Sequence, residues 1–217
     1  MNILVLAPHP DDEVLGMGGT IKKLSKKNKI SLVIMTDGAS AQYKDPKMID
    51  VRKESCKKSS KILGISNIEF LKFQDMKLDS VPQLQINKEI ERVIKKYKPK
   101  IVFTSPKNDL NMDHEILFNS TIVATRPIST EIKQVFSYEL PGFVKEPFLA
   151  NYFEDITKEL SYKIRAFKNY KSEIRKFPHA RSIEAIENLA VYRGIQSGLK
   201  KAEAFQLIRN IFLIFPQ

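Results

Sequence analysis

Apolar positions in this chain fall into short unbroken runs, separated by stretches with the spacing of helices. Residues 2–7 (NILVLA) are a continuous apolar run, the pattern of a strand buried on both faces. Comparable runs recur at 31–35 (SLVIM), 68–73 (IEFLKF), 101–104 (IVFT) and 135–140 (VFSYEL). Between them the period lengthens to that of a helix. Residues 21–27 are amphipathic, 52–63 stop at Gly64, and 84–97 places Ile86, Ile90, Val93, Ile94 and Tyr97 on one side before Pro99 ends it. A further helix is expected at 115–124. Residues 39–49 and 143–155 carry no period and read as loops, the second aromatic enough for a pocket wall, a lid or an interface between copies. The last third reads as helical: 158–176, then 182–190, then 202–208. Alternating strands and helices predict an α/β fold of three layers, a mostly parallel sheet with helices on both faces. At 217 residues, without repeats or a composition break, the expectation is a single domain over 1–217.

Two polar constellations interrupt this pattern where chemistry is expected. The first run leads at once into Pro8-His9-Pro10-Asp11-Asp12-Glu13, and the fourth into Ser105-Pro106-Lys107-Asn108-Asp109-Leu110-Asn111-Met112-Asp113-His114. In a parallel sheet the carboxyl ends of both strands lie on one edge, where open α/β sheets bind ligands. His9 and Asp12, three residues apart across a turn, can point at one centre, and His114 can join them. Two imidazoles and one carboxylate with open positions suit catalytic Zn²⁺, with Fe²⁺ as the alternative. Asp11 cannot easily reach the same coordination position and is better placed beside the metal, near a water. The competing reading is an N-capped helix with Asp11 or Asp12 as cap and Glu13 on the dipole. A second histidine-containing acidic motif favours the metal.

Other polar residues qualify more weakly. Asp37, in Thr36-Asp37-Gly38 after the second run, borders the same edge or simply makes a turn. Arg52 stands where the 39–49 loop delivers it to the pocket; Glu54 cannot be its helical partner, so it needs another. His179 lies in a connection after Pro178 and reads first as a surface residue. Cys56 is the sole cysteine, which excludes an intrachain disulfide and a thiolate cluster and leaves a small packed side chain.

Charge adds one expectation. The chain carries 36 Lys and Arg against 25 Asp and Glu, a net +11. That favours phosphate- or nucleotide-linked small molecules, but the lysines spread over helix faces and no aromatic-interleaved basic motif for nucleic acid occurs. No run is long enough to span a membrane and the first is too short for a signal peptide, so a cytoplasmic location is expected.

Ala7-Pro8-His9-Pro10-Asp11-Asp12-Glu13 resembles the signature of the zinc-dependent PIG-L/LmbE deacetylases, which act on N-acetylated amino sugars. Thr36-Asp37-Gly38, Arg52 with Glu54, Leu63-Gly64, Asp75, the 109–114 run, Arg193-Gly194, Gly198 and 202–205 fall in the family's order, so the likeness covers nearly the whole chain. The resemblance implies a Rossmann-like α/β sandwich. It implies Zn²⁺ on His9, Asp12 and His114, Asp11 as general base, and Arg52 on the substrate. One position departs: Asn111 stands where the family has a histidine that stabilises the oxyanion, oriented by the neighbouring aspartate, here Asp113. Asparagine donates a neutral hydrogen bond but carries no proton. Three outcomes follow: Asp11 shuttles the proton, another group such as His179 compensates, or the chain is a weak or inactive member that binds sugar.

Overall fold

A computed structural model of the chain describes residues 1–142 and 144–211. From the amino end run β1 (Asn2–Ala7), α1 (Asp12–Leu24), β2 (Lys29–Thr36), α2 (Lys47–Leu63), β3 (Asn67–Phe73), α3 (Gln83–Tyr97), β4 (Ile101–Thr104), α4 (Met112–Ala124) and β5 (Gln134–Tyr138). β6 (Tyr152–Asp155), α5 (Leu160–Phe167), α6 (Ile183–Ser197) and β7 (Ala202–Asn210) follow. The strands make one seven-stranded sheet in the order β3-β2-β1-β4-β5-β7-β6. β1 to β5 are parallel, and β7 runs antiparallel to both β5 and β6. The order reverses at β1, which pairs with β2 on one side and β4 on the other. That is a topological switch point, and both polar constellations leave from it.

Pleating explains why β1 is apolar throughout. Ile3, Val5 and Ala7 face a core shared with α1, α2, α5 and α6, while Leu4 and Leu6 face a second core shared with α3 and α4. The expected three layers are therefore present.

The sequence pattern misassigns the carboxyl-terminal third in three places. Residues 202–208, expected as helix, are the first seven residues of β7. Ala, Glu, Gln and Leu are helix formers, but pairing on both edges decides the outcome. The helix expected over 158–176 ends at Phe167, after which turns carry the chain to α6. Residues 152–155, expected as loop, are β6. Residues 145–151 lack regular structure, and Phe143 lies outside the described residues.

Helix α1 is kinked at Met17, where φ is −147° and ψ 27°. The amides of Gly19 and Thr20 donate instead to the buried Glu203 carboxylate of β7, at 2.9 and 2.7 Å, and Lys163 Nζ completes that cluster at 2.7 Å. The helix lies so close to the sheet that a Cβ on Gly16 would sit 2.4 Å from the Tyr138 ring. Tyr138 is fully buried and its hydroxyl donates to Leu6 O at 3.0 Å, so it has nowhere to go. Gly16→Ala is expected to destabilise the protein by about 1–3 kcal/mol, the usual cost of overpacking. A lowered urea midpoint at constant m checks this; an unchanged midpoint would show that the ring gives way.

Candidate active site at the carboxyl edge of the sheet

The loop after β1 is fixed from three sides. Thr36, at the end of β2, donates its amide and its hydroxyl to Pro8 O, each at 3.0 Å. Gly38 has φ +62°, and a Cβ there would fall 2.3 Å from Pro10 Cδ, so glycine lets the two turns nest. Asp11 itself has φ +120°, a conformation costly for a side-chain-bearing residue. Its amide donates to Glu13 Oε2 at 3.0 Å and its carbonyl accepts from Leu15 at 2.9 Å. Glu13 is held in turn by the buried Tyr170 hydroxyl. Burial pushes the Glu13 carboxyl up to about 7.

His9, Asp12 and His114 meet there, all buried. Asp12 Oδ2 lies 3.0 Å from His9 Nδ1 and 3.4 Å from His114 Nε2, and the two ring nitrogens are 3.3 Å apart. The far nitrogen of each ring faces a carboxylate: His9 Nε2 is 3.0 Å from Asp113 and His114 Nδ1 is 2.9 Å from Asp109. Asp75 Oδ1 stands 3.3 Å from the same His9 nitrogen. With those outer nitrogens donating, two imidazole lone pairs and a carboxylate oxygen converge on one point. Three acceptors so close repel unless a cation or shared protons lie between them. Without a metal the acids draw protons onto both rings. Burial pulls His9 down, yet its hydrogen bonds to Asp113 and Asp12 push it up to about 10. Against burial, Asp12 and Asp109 bring His114 to about 9. The donor set fits a divalent ion with each histidine oriented by an outer carboxylate.

Asp11 lies next to this cluster within a second buried charge network. Its Oδ1 accepts from Arg52 Nη2 at 3.2 Å, and Arg181 Nε stands 3.5 Å from its Oδ2. Both arginines also meet Glu173, each at 3.2 Å, and Glu173 accepts from the Tyr43 hydroxyl at 2.9 Å. Burial raises Asp11 to about 6 against the pull of Arg181 and Arg52.

Three expected site residues sit differently from their sequence-based roles. Arg52 does not line the cleft: its side chain is 2% exposed, enclosed by Pro10 O, Asp11 and Glu173. Asp37 turns back on its own loop, where its Oδ1 accepts from the amides of Ala39 and Ser40 at 3.0 and 2.9 Å. Asp113 orients His9 rather than the residue 111 side chain, and also accepts from the amides of Met76 and Leu78. Asn111 does line the cleft. As N-cap of α4 it accepts from the Asp113 amide through Oδ1, which leaves its amide nitrogen as donor.

The cleft above the cluster holds about 270 Å³. Asp12 and His114 lie at its floor, Leu15, Leu110, Leu140 and Pro141 supply apolar wall, and Asn111, His179 and Arg181 supply polar edges. Glu173 and Arg181 had no sequence signal: Glu173 lies in the stretch expected as helix, Arg181 in the connection after it, and both are far along the chain from Asp11.

Comparison with known proteins bears on the family and the fold. The PIG-L family, described as GlcNAc-PI de-N-acetylase, matches residues 4–125. The diacetylchitobiose deacetylase of Thermococcus kodakarensis is 28% identical, over 97% of this chain and 84% of its own length. Among solved structures, the N,N'-diacetylchitobiose deacetylase of Pyrococcus horikoshii superposes with a TM-score of 0.81 at 23% identity, covering 96% of this chain and 84% of that one. The 4-carboxy-2-hydroxymuconate hydratase GalB of Pseudomonas putida superposes at 0.79 with 19% identity, over 100% and 99%. The fold alone therefore does not choose a reaction. The family match covers more than half of the sequence, including the last four residues of β1, all of β4 and the turns that follow them, and on it the chain belongs to the PIG-L family.

Proposed function

We propose that the protein is a metal-dependent hydrolase that removes an N-acetyl group from an amino sugar or its conjugate. The observation that carries this reading is the convergence of His9, Asp12 and His114 with Asp11 alongside. Family membership and the deacetylase relatives supply the reaction class. Zn²⁺ is the ion assigned to the three ligands, with Fe²⁺ as the alternative the donors also accept. When bound, such an ion lowers the pKa of water towards about 7 and polarises an acyl oxygen.

The chain's own residues do the rest. Asp11, set at a fixed angle by Glu13 and the two arginines, takes the proton of the attacking water. A bond forms from the water oxygen to the acyl carbon, and Asn111 Nδ2 donates to the oxyanion. Asp11 then returns its proton to the nitrogen as the C–N bond breaks. Acetate and a free amino sugar leave. Arg52 acts on Asp11 rather than on the substrate.

Asn111 is the one observation behind an inactive, sugar-binding alternative. The intact ligand set and its orienting acids favour catalysis, because binding alone needs neither. The deciding measurement is primary-amine release from N,N'-diacetylchitobiose and other N-acetylated sugars by zinc-loaded protein. Turnover that chelation abolishes and zinc restores is expected. Sugar bound without amine release from any of them would establish the alternative.

A further inference from the structure

The net charge of the whole chain, +11, favours an anionic substrate, but the cleft has the opposite character. Asp12 and Asp109 face His114, Asp75 and Asp113 face His9, and Asp11 and Glu173 face the arginines. Arg52 and Arg181 offset two of these six carboxylates, and a divalent ion offsets two more. Histidines that ligate an ion are neutral. The floor of the site is negative with or without the ion, and the lysines that make the chain basic do not line it.

Facing this floor, one turn presents donors. The Arg181 amide donates to His179 Nδ1 at 3.0 Å, so in the neutral ring the proton sits on Nε2. Arg181 Nη1 is held by Glu173 and Nε lies near Asp11, while Nη2 has no partner among the described residues. The Arg181 side chain is 27% exposed, whereas Arg52 behind it is 2% exposed. Apolar wall from Leu110, Leu140 and Pro141 completes the cleft. A ligand complementary to these features offers oxygen lone pairs and C–H faces without negative charge.

We propose that the cleft selects an uncharged N-acetylated saccharide over phosphate- or nucleotide-linked sugars, with Arg181 Nη2 and His179 Nε2 as the donors that grip its oxygens. This rests on the amide-hydrolase reading above for the reaction, but not for the binding preference. Arg181 and His179 are then specificity-determining residues, and Arg181 takes the substrate contact that the sequence assigned to Arg52.

The test pairs methyl N-acetylglucosaminide with N-acetylglucosamine 1-phosphate, which share a ring and differ in charge. Calorimetric binding to zinc-loaded protein is measured beside amine release. The methyl glycoside is expected to bind at least about tenfold more tightly. Equal or tighter binding of the phosphate overturns the proposal, as does failure of both to bind. Binding of the methyl glycoside with no amine release from it, from N,N'-diacetylchitobiose or from the other N-acetylated sugars sinks the hydrolase reading and leaves the selectivity standing. Two substitutions separate a gripping role of His179 from a turn-shaping one. His179→Asn keeps an acceptor where Nδ1 sits but loses the outer donor; His179→Gln reaches the Nε2 position. The Asn variant is expected to lose about tenfold in sugar affinity and the Gln variant to retain most of it. The reverse order would assign His179 to the turn alone and overturn its part in the grip.

Discussion

Asp11→Asn is expected to lower kcat by about 10²–10⁴-fold while leaving the metal content of the protein unchanged. The substitution removes proton-accepting capacity and one negative charge but keeps the shape of the side chain. Asparagine has nearly the same shape, and it tolerates positive φ better than most residues, which matters at a backbone angle of +120°. Asp11 contributes no atom to the His9, Asp12 and His114 group, so the ion should stay. Stability should fall, because the arginines lose a carboxylate, but Glu173 still faces both of them at 3.2 Å. The loss should therefore stay below the about 3–5 kcal/mol that follows when a buried ion is left without any partner. Steady-state kinetics with elemental analysis on the same sample makes the distinction. Wild-type turnover in a folded, metal-replete variant would remove Asp11 from the proton path.

Much of this arrangement was legible in the chain because it depends on strand ends. A run such as NILVLA has the pattern of a strand covered on both sides, and as a strand it delivers the residues after it to the sheet's carboxyl edge. The same reasoning applied to IVFT brings His114 towards His9 and Asp12 without further information. Legibility fails where packing overrules local preference. Tyr170 continues the helical spacing of Leu160, Ile164 and Phe167 and is fully buried, yet the helix has already ended at Phe167. Its place is set by Glu13, whose carboxylate accepts its hydroxyl. Residues 202–208 look helical because their composition suits a helix, but the open edge of β5 makes them a strand.

The charge network around Asp11 was invisible for a different reason. Arg52 is visibly short of a partner within its own helix, but nothing local says that Glu173 will supply one. Glu173 and Arg181 belong to turns whose course is fixed only when α5 and α6 dock on the sheet. A sequence pattern reports which face of an element is buried; it does not report which buried charges will neutralise one another. The structure encloses the Arg52 side chain between Pro10 O, Asp11 and Glu173, and the place of Arg181 beside Asp11 is visible only in the geometry.

His114→Ala is expected to abolish both stoichiometric metal binding and turnover. Wild-type protein purified without chelator should hold about one ion per chain, as a three-ligand catalytic site does. Removing His114 leaves Asp12 and His9, too few to retain an ion through dialysis, and strands the Asp109 carboxylate that now faces Nδ1 at 2.9 Å. Circular dichroism should show the fold retained, since His114 sits at the start of α4 and outside the apolar cores. Asp113→Asn provides the graded companion. It leaves all three ligands in place and weakens the contact that orients His9, at the cost of one of the two backbone amides that Asp113 also accepts from, so metal affinity should fall by about 10–100-fold, measured by chelator competition. That order, ion lost in one variant and loosened in the other, follows only if the two histidines point their inner nitrogens at a shared centre. An ion retained stoichiometrically without His114 would place the metal elsewhere, and the buried set His9, Asp75 and Asp113 would then be the first alternative to test.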